Sequence, residues 1–195
     1  MSNFASFKQS FRGNISTPTY ADYAQAISHW ALNAQANAKI VTFVKTPKDV
    51  TLAIAYAREN SLLITIRGGG HNTAGASSTK GLVIDLSCHL NTVEINLENK
   101  LAYVDGGAIW EQVEKAAIQH GLATVAGMVN HVSLYSIFPF AHIFRLESEG
   151  MLPDGHILQS GVYFSSRLTL GGGIGQLSGE HGLVIDNLIK VVLFP

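Results

Sequence analysis

Apolar and polar positions follow two different periods along this chain, and the switches between them mark the elements. Residues 20–37 are Ala-rich with few breakers and predict a helix. Lys39-Ile-Val-Thr-Phe-Val44 is dominated by β-branched and aromatic residues and predicts a short buried strand. A helix start follows: Thr46 can cap, Pro47 suits the first turn and Asp49 stands three residues after Thr46. Val50, Ile54 and Ala57 then recur at helical spacing to about Asn60. Leu62–Ile66 and Leu82–Leu86 predict two further apolar strands. Thr92–Asn96 alternates, with Val93 and Ile95 on one face, and Leu101–Val104 follows it. Trp110–His120 predicts a helix with Gly121 as its stop. Ala123–Val125 predicts a brief strand, Leu168-Thr-Leu170 is a further apolar segment, and a last strand is expected near Leu188–Phe194. The mixture reads as α+β with α/β subdomains and no internal repeat. Val132–Arg167 fits neither period and predicts no regular element.

Composition narrows this picture. With 195 residues, 47% of them hydrophobic, the chain can bury a core of ordinary size. The formal net charge of −1 offers no basic surface for nucleic acid and no basic run for an acidic membrane. The first residues lack the apolar core of a signal peptide, and no apolar run reaches the ~20 residues needed to cross a bilayer, so the expectation is a cytoplasmic protein. The lone cysteine, Cys88, is expected to be a small buried residue, and Trp30 and Trp110 are expected to pack rather than to serve as stacking platforms. Eight histidines raise the question of metal, but no His-Glu-x-x-His motif is present and no site is expected. No Gly-x-Ser-x-Gly elbow supports a serine nucleophile.

Glycine is the informative residue. It clusters at Gly68–Gly70, Gly106–Gly107 and Gly171–Gly175. The first cluster lies in Arg67-Gly-Gly-Gly-His-Asn72, straight after a predicted strand, so strand, helix, strand and glycine loop follow in the order of a nucleotide site. Three glycines free backbone N–H groups to face an anion, a diphosphate being the natural guest. Arg67 offers charge, and the His71 ring would stand beside the bound group. From the pattern alone, a tight turn with a chance histidine is an equal reading.

The neighbouring segments decide between these. Arg67-Gly-Gly-Gly-His-Asn72, Asn72-Thr-Ala-Gly75, Gly81-Leu-Val-Ile-Asp-Leu86, Gly106-Gly-Ala-Ile-Trp-Glu111, Gly121-Leu-Ala-Thr124 and Leu170-Gly-Gly-Gly-Ile-Gly175 closely resemble the FAD-binding (PCMH-type) domain of the vanillyl-alcohol oxidase and para-cresol methylhydroxylase superfamily, in its berberine-bridge-enzyme-like branch. The resemblance runs over Ile40–His131 and Leu168–Val192. It implies two α/β subdomains gripping FAD, with residues 1–37 as a helical lead-in and 38–195 as the FAD-binding domain. It also implies that Gly68, Gly69 and Gly70 seat the pyrophosphate beside Arg67 and Asn72, and that His71 bonds covalently to the flavin's 8α carbon. His131, Gly171, Gly172, Gly173 and His181 fall in segments that approach the cofactor; a loop histidine without a role is an equal reading of His131, and a turn shaped by Gly179 and Gly182 is the favoured reading of the His181 segment. The cysteine that makes a second flavin link in some members is replaced by Val129, so attachment would be single. The activity implied is that of an FAD-linked oxidoreductase acting on an alcohol-like carbon of a small molecule or sugar, with the flavin carrying the redox chemistry.

Two departures qualify that expectation. Val132–Arg167 interrupts the pattern where a Gly-Val-Gly-Gly stretch would stand; it reads as a translated intron, since Val-Ser after His131 is what a common splice-donor sequence encodes, or as a genuine insertion forming a lid. The chain also stops at Pro195, before the family's substrate domain and catalytic base, so no base is assigned and a truncated domain is expected. A non-catalytic flavin-binding remnant and an unrelated nucleotide-phosphate binder are the alternatives; the second lacks the Gly-Lys-Ser/Thr of P-loop proteins.

Overall fold

The computed structural model describes residues 3–123, 140–145, 147–148 and 188–193. Helix α1 (Phe4–Ser10), capped by Asn3, leads into strand β1 (Asn14–Ser16), which pairs antiparallel with β2 (Ile40–Phe43). Helix α3 (Pro47–Glu59) connects β2 to β3 (Ile64–Arg67), and β4 (Leu82–Asp85) inserts between them, parallel to both. The first sheet is therefore ordered β1-β2-β4-β3.

Both faces of this sheet are covered, which is why β2 and β4 are apolar runs rather than alternating ones. Ile40, Leu82 and Ile84 pack with Phe7 and Phe11 and with Val50, Ala53 and Ala57 of α3. Val41 and Val83 point to the opposite face, against Ala26, Ile27 and Ala38. The start of α3 is built as the sequence predicts. Thr46 Oγ1 accepts from the Asp49 N–H, and the buried Asp49 carboxylate accepts from the N–H groups of Thr46, Lys45 and Arg12.

The second sheet, ordered β10-β8-β6-β5, is antiparallel and comprises β5 (Val93–Asn96), β6 (Leu101–Val104), β8 (Phe140–Arg145) and β10 (Leu188–Leu193). Helix α4 (Trp110–Ile118) lies against it and buries Trp110, Val113 and Ala117. Its first turn is held by half a capping box, the Ile109 N–H donating to Gln112 Oε1 at 2.9 Å. Gly121, at φ +64°, ends it. A two-stranded ribbon pairs β7 (Leu122–Ala123) with β9 (Glu147–Ser148).

Two expectations are corrected. The helix predicted over residues 20–37 is broken into α2 (Tyr23–Ala26) and a 3₁₀ turn at Leu32–Ala34. Arg67 takes the reason away from a continuous helix, since its guanidinium captures the carbonyls of Ala26 and Ser28. The stretch 132–167 is not free of regular structure either. Its β8 is an inner strand of the second sheet, pairing with β6 on one side and β10 on the other. Ladder pairing with two neighbours overrides the weak local period of Phe-Ala-His-Ile-Phe-Arg.

Candidate functional site

The first sheet ends in a single row of paired residues, Asn14–Phe43–Asp85–Arg67. In this row β2, β4 and β3 present their carboxyl ends, the edge at which open α/β sheets bind ligands. A cleft of about 560 Å³ opens there, and the whole row lines it together with Gly68–Gly70, Ser87, Cys88 and His89.

Arg67 is buried, and its Nε donates to Asp85 Oδ2 at 2.5 Å. Nη2 donates to the Ala26 carbonyl at 2.5 Å and Nη1 to that of Ser28 at 3.3 Å. Asp85 also accepts from the Ser87 N–H and hydroxyl through Oδ1. The charge expected of Arg67 toward a ligand is thus answered inside the fold, and the side chain ties three segments together beneath the glycine loop.

Gly68 and Gly70 are buried, Gly69 is half-buried, and among the described residues the N–H groups of all three donate to no acceptor. Buried amides are nearly always paired, so a row of three at a cleft without partners among the described residues is a ready anion cradle. Gly70 sits at φ +68°, a left-handed conformation that disfavours any side chain. Asn72 closes the following turn, its Oδ1 accepting from the Ala76 N–H at 2.9 Å.

Segment 26–34 lies across this loop. Besides the two carbonyls held by Arg67, the Trp30 N–H donates to the Gly70 carbonyl at 3.4 Å, and Asn33 Nδ2 donates to the Thr73 carbonyl at 3.3 Å. Ser78 Oγ donates to the Ala34 carbonyl. The Trp30 indole stacks on the His71 ring, with centroids 5.5 Å apart and planes 28° from parallel, while remaining 68% exposed. Trp30 is therefore a stacking residue and not the packing residue expected; Trp110 is fully buried as expected.

His29 was not singled out by its sequence context, a polar residue among alanines. It is buried, accepts from the Ala31 N–H through Nδ1 at 3.4 Å, and meets Ser77 Oγ through Nε2 at 2.7 Å. Those partners assign the proton to Nε2. Burial lowers its pKa, and the Arg67 charge and the His71 ring act in the same direction. Below the ordinary histidine value of ~6.5 the unfolded chain binds a proton that folded His29 refuses. Stability is expected to fall as pH drops from about 6.5 toward the lowered folded value, then to level off. Urea midpoints between pH 7.5 and 5 check this, with His29→Gln expected to flatten part of the slope; identical slopes in both proteins remove His29 as the cause.

Cys88 is exposed at the cleft, contrary to expectation, because it follows the strand end and lies in the turn beyond Ser87. Partial burial of the sulfur and the Asp85 carboxylate raise its thiol pKa, which disfavours the reactive thiolate. His89, also unforeseen, meets Asn14 Oδ1 through Nε2 at 3.2 Å. His131, Gly171, Gly172, Gly173 and His181, with Val129, lie outside the described residues. Among the described residues no three His, Cys, Asp or Glu side chains cluster as metal ligands, and no helix is long and apolar enough to cross a membrane.

The family model described as an FAD binding domain matches residues 38–135 of this sequence, which takes in β2 to α4 and the whole glycine loop. The chain belongs to this family of FAD-binding domains. The domain is of the PCMH type, related to berberine-bridge-enzyme-like and vanillyl-alcohol-oxidase-superfamily oxidoreductases. An FAD-linked oxidoreductase of Bacillus subtilis, YgaK, is 31% identical over 185 residues, covering 94% of this chain and 34% of the relative. The crystal structure of 6-hydroxy-D-nicotine oxidase from Arthrobacter nicotinovorans superposes with a TM-score of 0.71 at 25% identity, over 90% of this chain and 32% of that one. The berberine-bridge-enzyme-like protein 1 of Physcomitrella patens shares the fold, with a TM-score of 0.72 at 20% identity over 95% of this chain and 34% of that one. The chain spans about a third of the length of the first of the curated relatives it matches.

Proposed function

We propose that this chain is the flavin-binding portion of an FAD-linked oxidoreductase that removes a hydride from an alcohol-like carbon of a small molecule or sugar, with dioxygen as the reoxidant. The observation that carries the reading is the run of three glycine amides at the end of β3 with no acceptor among the described residues, followed at once by His71. Gly68, Gly69 and Gly70 would seat the pyrophosphate. Arg67 would hold the loop's shape from below and Asn72 would close its exit. His131, Gly171–Gly173 and His181 remain proposed cofactor contacts. When bound, FAD supplies the two-electron acceptor, which no amino-acid side chain provides. A relative named for 6-hydroxy-D-nicotine supports a small-molecule substrate.

His71 is the proposed covalent tether. The bond would join an imidazole nitrogen of His71 to the flavin's 8α carbon with loss of one N–H and one C–H, and dioxygen would take up the two electrons and two protons as hydrogen peroxide. The test is acid precipitation of the purified, FAD-loaded protein. The wild type is expected to carry yellow flavin into the pellet, and His71→Ala to release all of it to the supernatant. Equal release from both overturns the tether. A wild type that takes up no FAD overturns the flavin reading itself.

A further inference from the structure

We propose that Trp30 is a positioning residue that sets the plane of the His71 imidazole for its bond to the flavin; this rests on the tether reading above. Trp30 is 68% exposed. Its indole is nonetheless fixed over the His71 ring, 5.5 Å between centroids and 28° between planes.

The backbone carrying Trp30 is tied down on both sides. Its N–H holds the Gly70 carbonyl, one residue before His71. Upstream, the Arg67 guanidinium holds the Ala26 and Ser28 carbonyls, and His29 meets Ser77 across the loop. Downstream, Asn33 and Ala34 are bonded to Thr73 and Ser78. Residues 26–34 therefore form a strap sewn to both ends of the glycine loop, with Trp30 at its centre.

Stacking against a fixed indole holds the His71 ring near one plane before the cofactor arrives. A nucleophile already aligned reacts faster without its partner binding more tightly. Trp30 would thus act on the rate of attachment and leave FAD affinity unchanged.

The experiment loads the full chain with FAD and measures two quantities separately, the FAD dissociation constant and the rate at which flavin becomes acid-stable. Trp30→Ala is expected to slow attachment roughly three- to ten-fold, the scale of a lost aromatic stack, at unchanged affinity. Trp30→Phe is expected to restore most of the rate, and Leu32→Ala, at an 81% exposed neighbour, to leave it alone. Without flavin, the upfield ring-current shift of the His71 ring protons should be present in wild type and lost in Trp30→Ala. Equal attachment rates in Trp30→Ala and wild type overturn this proposal and leave the tether standing. Wild type that binds FAD without ever forming acid-stable flavin overturns both.

Discussion

Replacing Arg67 by alanine is expected to cost about 3–5 kcal/mol of folding stability, the scale for removing one partner of a buried ion pair. The cost arises less from the lost attraction than from what remains. Among the described residues the Asp85 carboxylate keeps only Ser87 as a donor, and the carbonyls of Ala26 and Ser28 lose the guanidinium. Both charged side chains are under a tenth exposed, so water does not replace the guanidinium without local opening. Arg67→Lys is expected to recover little, because an ammonium cannot serve Asp85 and two carbonyls in three directions at once. Replacing Arg67 and Asp85 together by leucines should cost less than Arg67→Ala, since no charge is left buried. Urea unfolding at neutral pH separates these cases. A loss below about 1 kcal/mol for Arg67→Ala would show that the pair behaves as a solvated surface bridge. Because the same side chain anchors the strap and the loop, FAD affinity should fall with stability in this variant, although the Arg67 donors are spent on Asp85 and on the Ala26 and Ser28 carbonyls.

Much of this fold can be read from the sequence where the signal is local. Thr46, Pro47 and Asp49 announce the start of α3 because a capping box is closed within four residues. The strands β2 and β4 are visible because a strand buried on both faces is apolar at nearly every position, here all but Thr42 and Asp85. The glycine run identifies the loop, but not that Gly68–Gly70 leave their amides unpaired among the described residues, since that depends on β3 being an edge strand. The misreadings of residues 20–37, Trp30 and residues 140–145 share one cause, contacts from distant sequence. The alanines of residues 20–37 favour helix, yet a side chain some forty residues on intercepts the carbonyls of Ala26 and Ser28. Propensity of a few tenths of a kcal/mol per residue does not compete with charge-assisted bonds to a buried guanidinium. The Arg67–Asp85 pair carries a hint in sequence, a charge ending each of two apolar strands, but only the register that puts the two opposite each other makes them partners. Trp30 could not be told from a core tryptophan because its partner, His71, is brought to it by the same ties. Phe140–Arg145 gains its strand from the ladders of β6 and β10 and not from alternation.

Gly107→Ala is expected to be at least as damaging as the loss of Arg67, about 3 kcal/mol or more, at the upper end for overpacking. An added Cβ would stand 2.3 Å from the Leu86 carbonyl oxygen, 2.5 Å from its carbon and 2.6 Å from the Leu90 oxygen. These are backbone atoms of one tight turn, so no side chain can swing aside. The turn cannot retreat cheaply either. The Leu86 N–H is bonded to the Arg67 carbonyl, the Leu90 N–H to the Leu86 carbonyl and the Gly107 N–H to the Leu90 carbonyl, all within 3.0 Å. Moving the Leu86–Leu90 turn would drag the end of β3, and with it the start of the glycine loop; moving residue 107 instead would shift the entry to α4 and the buried Trp110. Gly121→Ala provides the contrast, with φ +64° but nothing within 4 Å of its Cβ, and should cost only the ~1–2 kcal/mol of a left-handed residue. Thermal and urea unfolding of the two variants check the ranking. Gly107→Ala within about 1 kcal/mol of wild type would mean that this turn yields; a large loss accompanied by weakened FAD uptake would tie the junction between the two sheets to the shape of the cofactor loop.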